Sequence, residues 1–212
     1  MISSNSRLMV FSAHADDEAL NSGGTIIKYL NSGASVYVLY FFPKKELNEV
    51  HAKFREYGGN IKYKVMIDEH FDGLINGLSY HSLVSFFDKE IDSFKPDTAI
   101  IPYPNYHQDH ELMHKICLTS LRISVENKSK HYVENVFEVA SDFVWGRQEI
   151  YNPNLFCDIT EQIEKKIEII MLYARNGNVY DNGDNIRSIA SYYGIQSGCK
   201  YAEAFRILRC KI

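Results

Sequence analysis

Two short stretches concentrate the residues able to do chemistry: Ala13-His14-Ala15-Asp16-Asp17-Glu18 and Tyr106-His107-Gln108-Asp109-His110. The first sets one imidazole beside three carboxylates, a density of like charge that is costly unless a cation absorbs it. A helix N-terminus offers another sink, with Asp16 or Asp17 as N-cap. The second places two imidazoles around an aspartate with no disulfide or turn glycine to account for them. Zinc takes His nitrogen and carboxylate oxygen, and a catalytic zinc keeps three protein ligands and leaves a fourth position to water. Two loops of this composition can supply three ligands and still leave groups for a general base and for meeting an oxyanion.

The elements that must position these loops are legible from periodicity. Arg7 to Ala13 reads as a buried strand, and Ser22 to Asn31 as a helix with Ile26, Ile27 and Leu30 on one side, closed by Gly33. Ser35 to Phe42 is β-branched and aromatic throughout, the pattern of a strand covered on both faces of a parallel sheet. A charged helix follows from Glu46 to Tyr57, ended by Gly58-Gly59, then a strand from Lys62 to Ile67 and a helix from Tyr80 to Phe94 with Leu83, Phe86, Phe87 and Ile91 inward. Thr98 to Ile101 is a further strand, Asp109 to Ile123 a helix and Asn135 to Val139 a strand. Both reactive clusters thus follow buried strands and precede helices, at the carboxyl ends where parallel α/β sheets bind ligands. The alternation predicts an α/β fold, a Rossmann-like three-layer sandwich with a mostly parallel sheet and helices on both faces. From about residue 159 we expect a C-terminal helical extension, its long helix running from Ile159 to Arg175. A polar loop follows over 176–185, flanked by Arg175 and Arg187, which reads as a solvated loop rather than a lid.

Taken as a set, the motifs resemble those of the PIG-L/LmbE-like deacetylases, which include N-acetylglucosaminyl-phosphatidylinositol deacetylases and the mycothiol- and bacillithiol-pathway deacetylases. The likeness rests on the two clusters together with Gly23-Gly24, Phe71-Asp72-Gly73-Leu74, Lys95-Pro96-Asp97, Phe156-Cys157-Asp158-Ile159-Thr160 and Tyr201-Ala202-Glu203-Ala204-Phe205. It implies that His14, Asp17 and His110 bind Zn2+, that Asp16 is the general base, and that His107 stabilises the oxyanion or protonates the leaving amine with Asp109 orienting it. Asp72 would contact substrate hydroxyls, a position that a turn residue explains equally well. Glu203 is read as the partner of a surface arginine in preference to a site residue. The chain departs from the family where Ala15 and Gln108 replace proline, which loosens both loops without removing a ligand. It also lacks the family's arginine near the Glu46 helix, with only Lys44 and Lys45 nearby. The implied reaction is hydrolysis of an N-acetyl amide on a small-molecule sugar or sugar conjugate. The alternatives are another N-acyl metabolite or a zinc-binding member without activity.

Composition narrows the rest. A length of 212 residues suits one domain spanning 1–212. The net charge of -4, with lysines dispersed, gives no basic field for nucleic acid. Four scattered cysteines without a Cys-x-x-Cys pair suggest neither disulfides nor a thiolate zinc cluster. The polar start and the short apolar run from Leu8 to Ala13 predict no signal peptide or membrane span, and hence the cytoplasm. The tyrosines are read as core and core-margin residues. No Gly-x-Gly-x-x-Gly loop follows the first strand, which disfavours a dinucleotide-binding module. A homo-oligomer is compatible with the sequence, which does not specify one.

Overall fold

Continuous apolar runs build the centre of the sheet. In the computed structural model, which describes residues 2–66, 79–123, 130–140, 151–174 and 183–211, β1 (Arg7–His14) and β2 (Ser35–Phe42) are buried everywhere but at their ends. They pair in parallel from Arg7 opposite Ser35 to His14 opposite Phe42. The other strands are β3 (Asn60–Val65), β4 (Thr98–Pro102), β5 (Asn135–Val139), β6 (Leu155–Asp158) and β7 (Ala202–Arg209). The sheet order is β3-β2-β1-β4-β5-β7-β6, with β7 antiparallel to both its neighbours and the remaining pairs parallel.

Among the described residues six helices cover the two faces: α1 (Asp17–Asn31), α2 (Leu47–Arg55), α3 (Tyr80–Phe94), α4 (Gln108–Ser120), α5 (Ile163–Ala174) and α6 (Asp184–Ser197). Alternate side chains of one strand feed opposite cores, as the period of two requires. Leu8, Val10, Val36, Val38 and Tyr40 pack against α1, α2 and α5, whereas Met9, Phe11, Tyr37, Leu39 and Phe41 pack against α3 and α4. The expected α/β three-layer sandwich is therefore present. Chain order runs from β1 outward to β2 and β3, then returns to β4 on the other side of β1. The reversal opens a crevice at the carboxyl ends of β1 and β4, where the two reactive loops emerge.

Three elements differ from the sequence reading. Helix α1 begins at Asp17 rather than Ser22, because the acidic motif itself forms the first helical turn. The chain beyond 159 adds more than a helical extension: β7 returns to the sheet between β5 and β6, and α6 packs beside it. The loop expected over 176–185 has only its last residues described, where α6 has already begun at Asp184, and Arg175 lies outside the described residues. Arg187 is engaged on the surface by Glu164, with Nη2 to Oε2 at 2.7 Å. Among the described residues no helix is long and apolar enough to cross a membrane, and all four cysteines are free.

Candidate metal centre

The crevice gathers both motifs. His14 ends β1, Asp16 and Asp17 open α1, and His107 to His110 open α4 after β4. His14, His107 and His110 present ring nitrogens that all lie within 4.8 Å of one another. Asp17 Oδ2 sits 3.3 Å from His110 Nε2 and 3.6 Å from His14 Nδ1. Ligand atoms around a tetrahedral zinc with bonds of roughly 2.0–2.1 Å stand about 3.3 Å apart. The spacing of Asp17 and His110 matches that value, and His14 is slightly wider. The donor set, imidazole nitrogen plus carboxylate oxygen, also suits zinc, so the residues present fit the implied metal.

Further hydrogen bonds orient these groups in the way metal ligands require. Asp109 Oδ2 lies 3.0 Å from His14 Nε2, which leaves His14 Nδ1 facing Asp17. Asp17 Oδ2 additionally accepts the His14 backbone N–H at 2.9 Å. Asn105 bridges the second loop: its amide nitrogen is 2.9 Å from His110 Nδ1 and its oxygen accepts the His107 backbone N–H at 2.8 Å. Sequence reasoning passed over Asn105, whose one visible signal was its place between β4 and the histidine motif.

His107 is the most exposed imidazole of the three. Its Nδ1 accepts the Asp109 backbone N–H at 3.3 Å, so the neutral ring carries its proton on Nε2. The Asp109 carboxylate stands 3.8 Å from His107, beyond hydrogen-bond range, and bonds His14 instead. The expected orientation of His107 by Asp109 therefore runs through the backbone, because the first turn of α4 aims the Asp109 side chain back towards β1. Geometry alone makes His107 a competitor for a ligand role. Its exposure and its engaged Nδ1 set His107 apart from the buried His110.

Electrostatics follow the same partition. Burial pulls the His14 pKa down, but the Asp17 and Asp109 carboxylates outweigh it and leave it raised. Burial would raise Asp17, yet hydrogen bonds from His110 and His14 hold its carboxyl far below the usual range. His107 is lowered by burial and by its neighbours His14 and His110. Burial pushes Glu18 up to about 8, opposed by the Tyr173 hydroxyl.

Asp16 fills the N-cap position of α1 without accepting a capping hydrogen bond, so the capping reading of the acidic motif does not hold for its side chain. Its carboxylate meets Lys44 Nζ. Its backbone lies at φ 149° and ψ -27°, a region rare for side-chain-bearing residues and costing about 1–3 kcal/mol. Such strain concentrates at functional sites.

Asp72 lies outside the described residues. Glu203 is neither at the metal cluster nor paired with a surface arginine. It is buried, accepting from the backbone N–H groups of Gly24 and Thr25, each at 2.8 Å, and from Lys166 Nζ at 2.7 Å. A buried carboxylate must be paired, and Lys166 on α5 was invisible as its partner from a sequence separation of 37 residues.

Fold and cluster together define an α/β protein with a histidine–carboxylate centre at the topological switch of its sheet. Residues 9–121 match the family described as PIG-L, GlcNAc-PI de-N-acetylase, and the chain belongs to that family. Among solved structures it is similar to the conserved protein TT1542 from Thermus thermophilus, at 17% identity and TM-score 0.77 over 97% of this chain and 96% of that one. The N,N'-diacetylchitobiose deacetylase from Pyrococcus horikoshii is similar at 21% identity and TM-score 0.65, over 95% and 83% of the two chains. The 4-carboxy-2-hydroxymuconate hydratase GalB from Pseudomonas putida KT2440 shares the fold at 15% identity and TM-score 0.68, over 98% of each.

Proposed function

We propose that this chain, as one domain over 1–212, is a zinc-dependent N-deacetylase acting in the cytoplasm on an N-acetylated sugar or sugar conjugate. The observation that carries the reading is the convergence of His14, Asp17 and His110 beside Asp16 and His107 in a chain of the PIG-L family. The Pyrococcus relative, named for a diacetylated disaccharide, supports a sugar amide as substrate. The four free thiols support a reducing compartment.

His14, Asp17 and His110 would hold the metal, which when bound polarises an amide carbonyl and acidifies water. Asp16, an acceptor beside the cluster, takes the proton of the attacking water. His107 Nε2–H donates to the carbonyl oxygen as negative charge gathers there. Collapse of the tetrahedral adduct breaks the C–N bond, and the proton held by Asp16, or one carried by His107 in its imidazolium form, passes to the nitrogen as the free amine leaves with acetate as co-product. Asp72 is retained in this proposal as a contact to substrate hydroxyls.

The test is metal content of the purified protein together with free-amine release from N-acetylglucosamine and N,N'-diacetylchitobiose, with and without a chelator. Chelator-sensitive amine release is expected. Bound zinc with no release would direct the search to other N-acyl amides, or to hydration chemistry of the kind for which GalB is named. Amine release undiminished by complete metal removal would sink the zinc reading.

A further inference from the structure

The left-handed backbone at Asp16 is not secured by its own capping, since its side chain makes no cap hydrogen bond. Glu18, Tyr173 and Lys44 close a ring with Asp16 instead. Asp16 N–H donates to Glu18 Oε2 at 3.0 Å, and Glu18 Oε1 accepts the Tyr173 hydroxyl at 2.8 Å. The Tyr173 ring faces the Lys44 ammonium, 5.8 Å from its centroid, and that ammonium in turn donates to Asp16 Oδ2. Asp16, Glu18 and Tyr173 are buried, so water does not compete with the contacts among these three as it would on the surface, while Lys44 is partly exposed. The ring grips Asp16 at both its backbone N–H and its carboxylate, from the start of α1, the chain after β2, and α5. A strained φ persists only where the surroundings over-determine it, and this ring supplies that constraint.

We infer that Lys44 and Tyr173 are positioning residues that hold Asp16 in its strained conformation and keep its carboxylate aimed at the reacting water. The inference rests on Asp16 being the base of the proposed deacetylase. It adds two residues outside both motifs, one of them beyond the 9–121 family match. Lys44 offers a single charge at the end of a flexible stem, so its geometry depends on the Tyr173 face and the Asp16 oxygen together. Tyr173 acts at one remove, by holding the Glu18 carboxyl group that accepts Asp16 N–H.

The experiment compares Lys44→Met, Lys44→Arg, Tyr173→Phe and Asp16→Asn as zinc-loaded full chains, with N-acetylglucosamine and N,N'-diacetylchitobiose as probes. Misplacing a catalytic group by about 1 Å can cost on the order of 100-fold, so kcat should fall roughly 10- to 100-fold in Lys44→Met and roughly 5- to 10-fold in Tyr173→Phe. KM should stay within about twofold and zinc stoichiometry should be unchanged, because neither residue is proposed as a ligand or a substrate contact. Lys44→Arg should recover part of the loss. Crystal structures of Lys44→Met and Tyr173→Phe, which need no substrate, should show Asp16 relaxed away from φ 149°. Full kcat in both variants with an inactive Asp16→Asn would overturn the ring while leaving the base in place. A raised KM with intact kcat in Lys44→Met would make Lys44 a substrate contact and overturn its positioning role. An unchanged Asp16 φ in both crystal structures would also overturn the proposal. Wild-type turnover in Asp16→Asn would sink the base assignment itself, a separate failure.

Discussion

Two aspartates adjacent in sequence are given different partners by the fold. Asp17 lies between two imidazoles, whereas the Asp16 carboxylate meets a lysine. Asp16→Ala should therefore retain zinc and lose turnover by at least about 100-fold, as expected for removing a general base. His110→Ala should lose both metal and activity, checked by metal analysis on the same samples. A buried histidine outside both motifs gives a separate prediction. His51 is fully buried on α2, its Nε2 is 2.9 Å from the Tyr40 hydroxyl, and burial together with the Arg55 charge lowers its pKa to about 3. The unfolded chain binds a proton on this residue below about pH 6.5 that the folded state refuses until about pH 3. The stabilisation is thus present above pH 6.5 and is lost as pH falls through that window, at up to ~1.4 kcal/mol per unit. In His51→Gln, which can still bond Tyr40, urea midpoints should fall less steeply between pH 6.5 and 4. An unaltered acid limb would show that other groups carry it.

At the level of elements, one buried carboxylate joins the last strand to the first helix by hydrogen bonds and to the fifth helix by an ion pair. Glu203 on β7 accepts from two backbone N–H groups within α1 and from Lys166 on α5, tying the sheet to both helices. Removing one partner of a buried pair leaves an uncompensated charge and costs about 3–5 kcal/mol. Lys166→Met should lower stability by that order in chemical denaturation, and Lys166→Met with Glu203→Gln should recover part of the loss. Equal destabilisation in the single and double variants would show that the charge on Glu203 is not the issue. The same junction explains Gly24: a Cβ there would lie 2.7 Å from Ile159 Cγ2, so close packing of α1 against the chain before α5 demands glycine.

Across the whole molecule, stability and metal binding are expected to be separable. The two apolar cores run along opposite faces of the sheet and the histidine cluster sits at its carboxyl edge, so folding should not depend on a bound metal as it does in a zinc finger. Chelation should leave the far-ultraviolet circular dichroism unchanged. It should lower Tm by roughly 5–10 °C relative to protein with zinc at about a hundredfold excess over Kd, the linkage of about 2.7 kcal/mol for a chain of this size. Loss of the dichroism signal on chelation would make the metal structural.

By itself the sequence determined the strands that are apolar throughout and the helices with a clear inner stripe. Ser35–Phe42, Tyr80–Phe94 and Asn135–Val139 form with the expected bounds because burial on both faces, or on one stripe, writes a pattern into consecutive residues. It also placed His14, Asp16, Asp17, His107 and His110 at strand ends, since residue type and local spacing sufficed. Short or partly exposed elements were not legible: β6 has four residues, none of them buried, and α6 mixes tyrosine, serine and glycine without a continuous stripe. Only the tertiary structure decided that Lys44 meets Asp16, that Tyr173 meets Glu18, that Asn105 spans the histidine loop and that Glu203 pairs with Lys166 rather than a surface arginine. Two of those four contacts join residues on different elements, and a third joins the chain after β2 to the start of α1. A single charged or hydroxylated side chain names no partner until the fold removes water from around it, and then it must be paired.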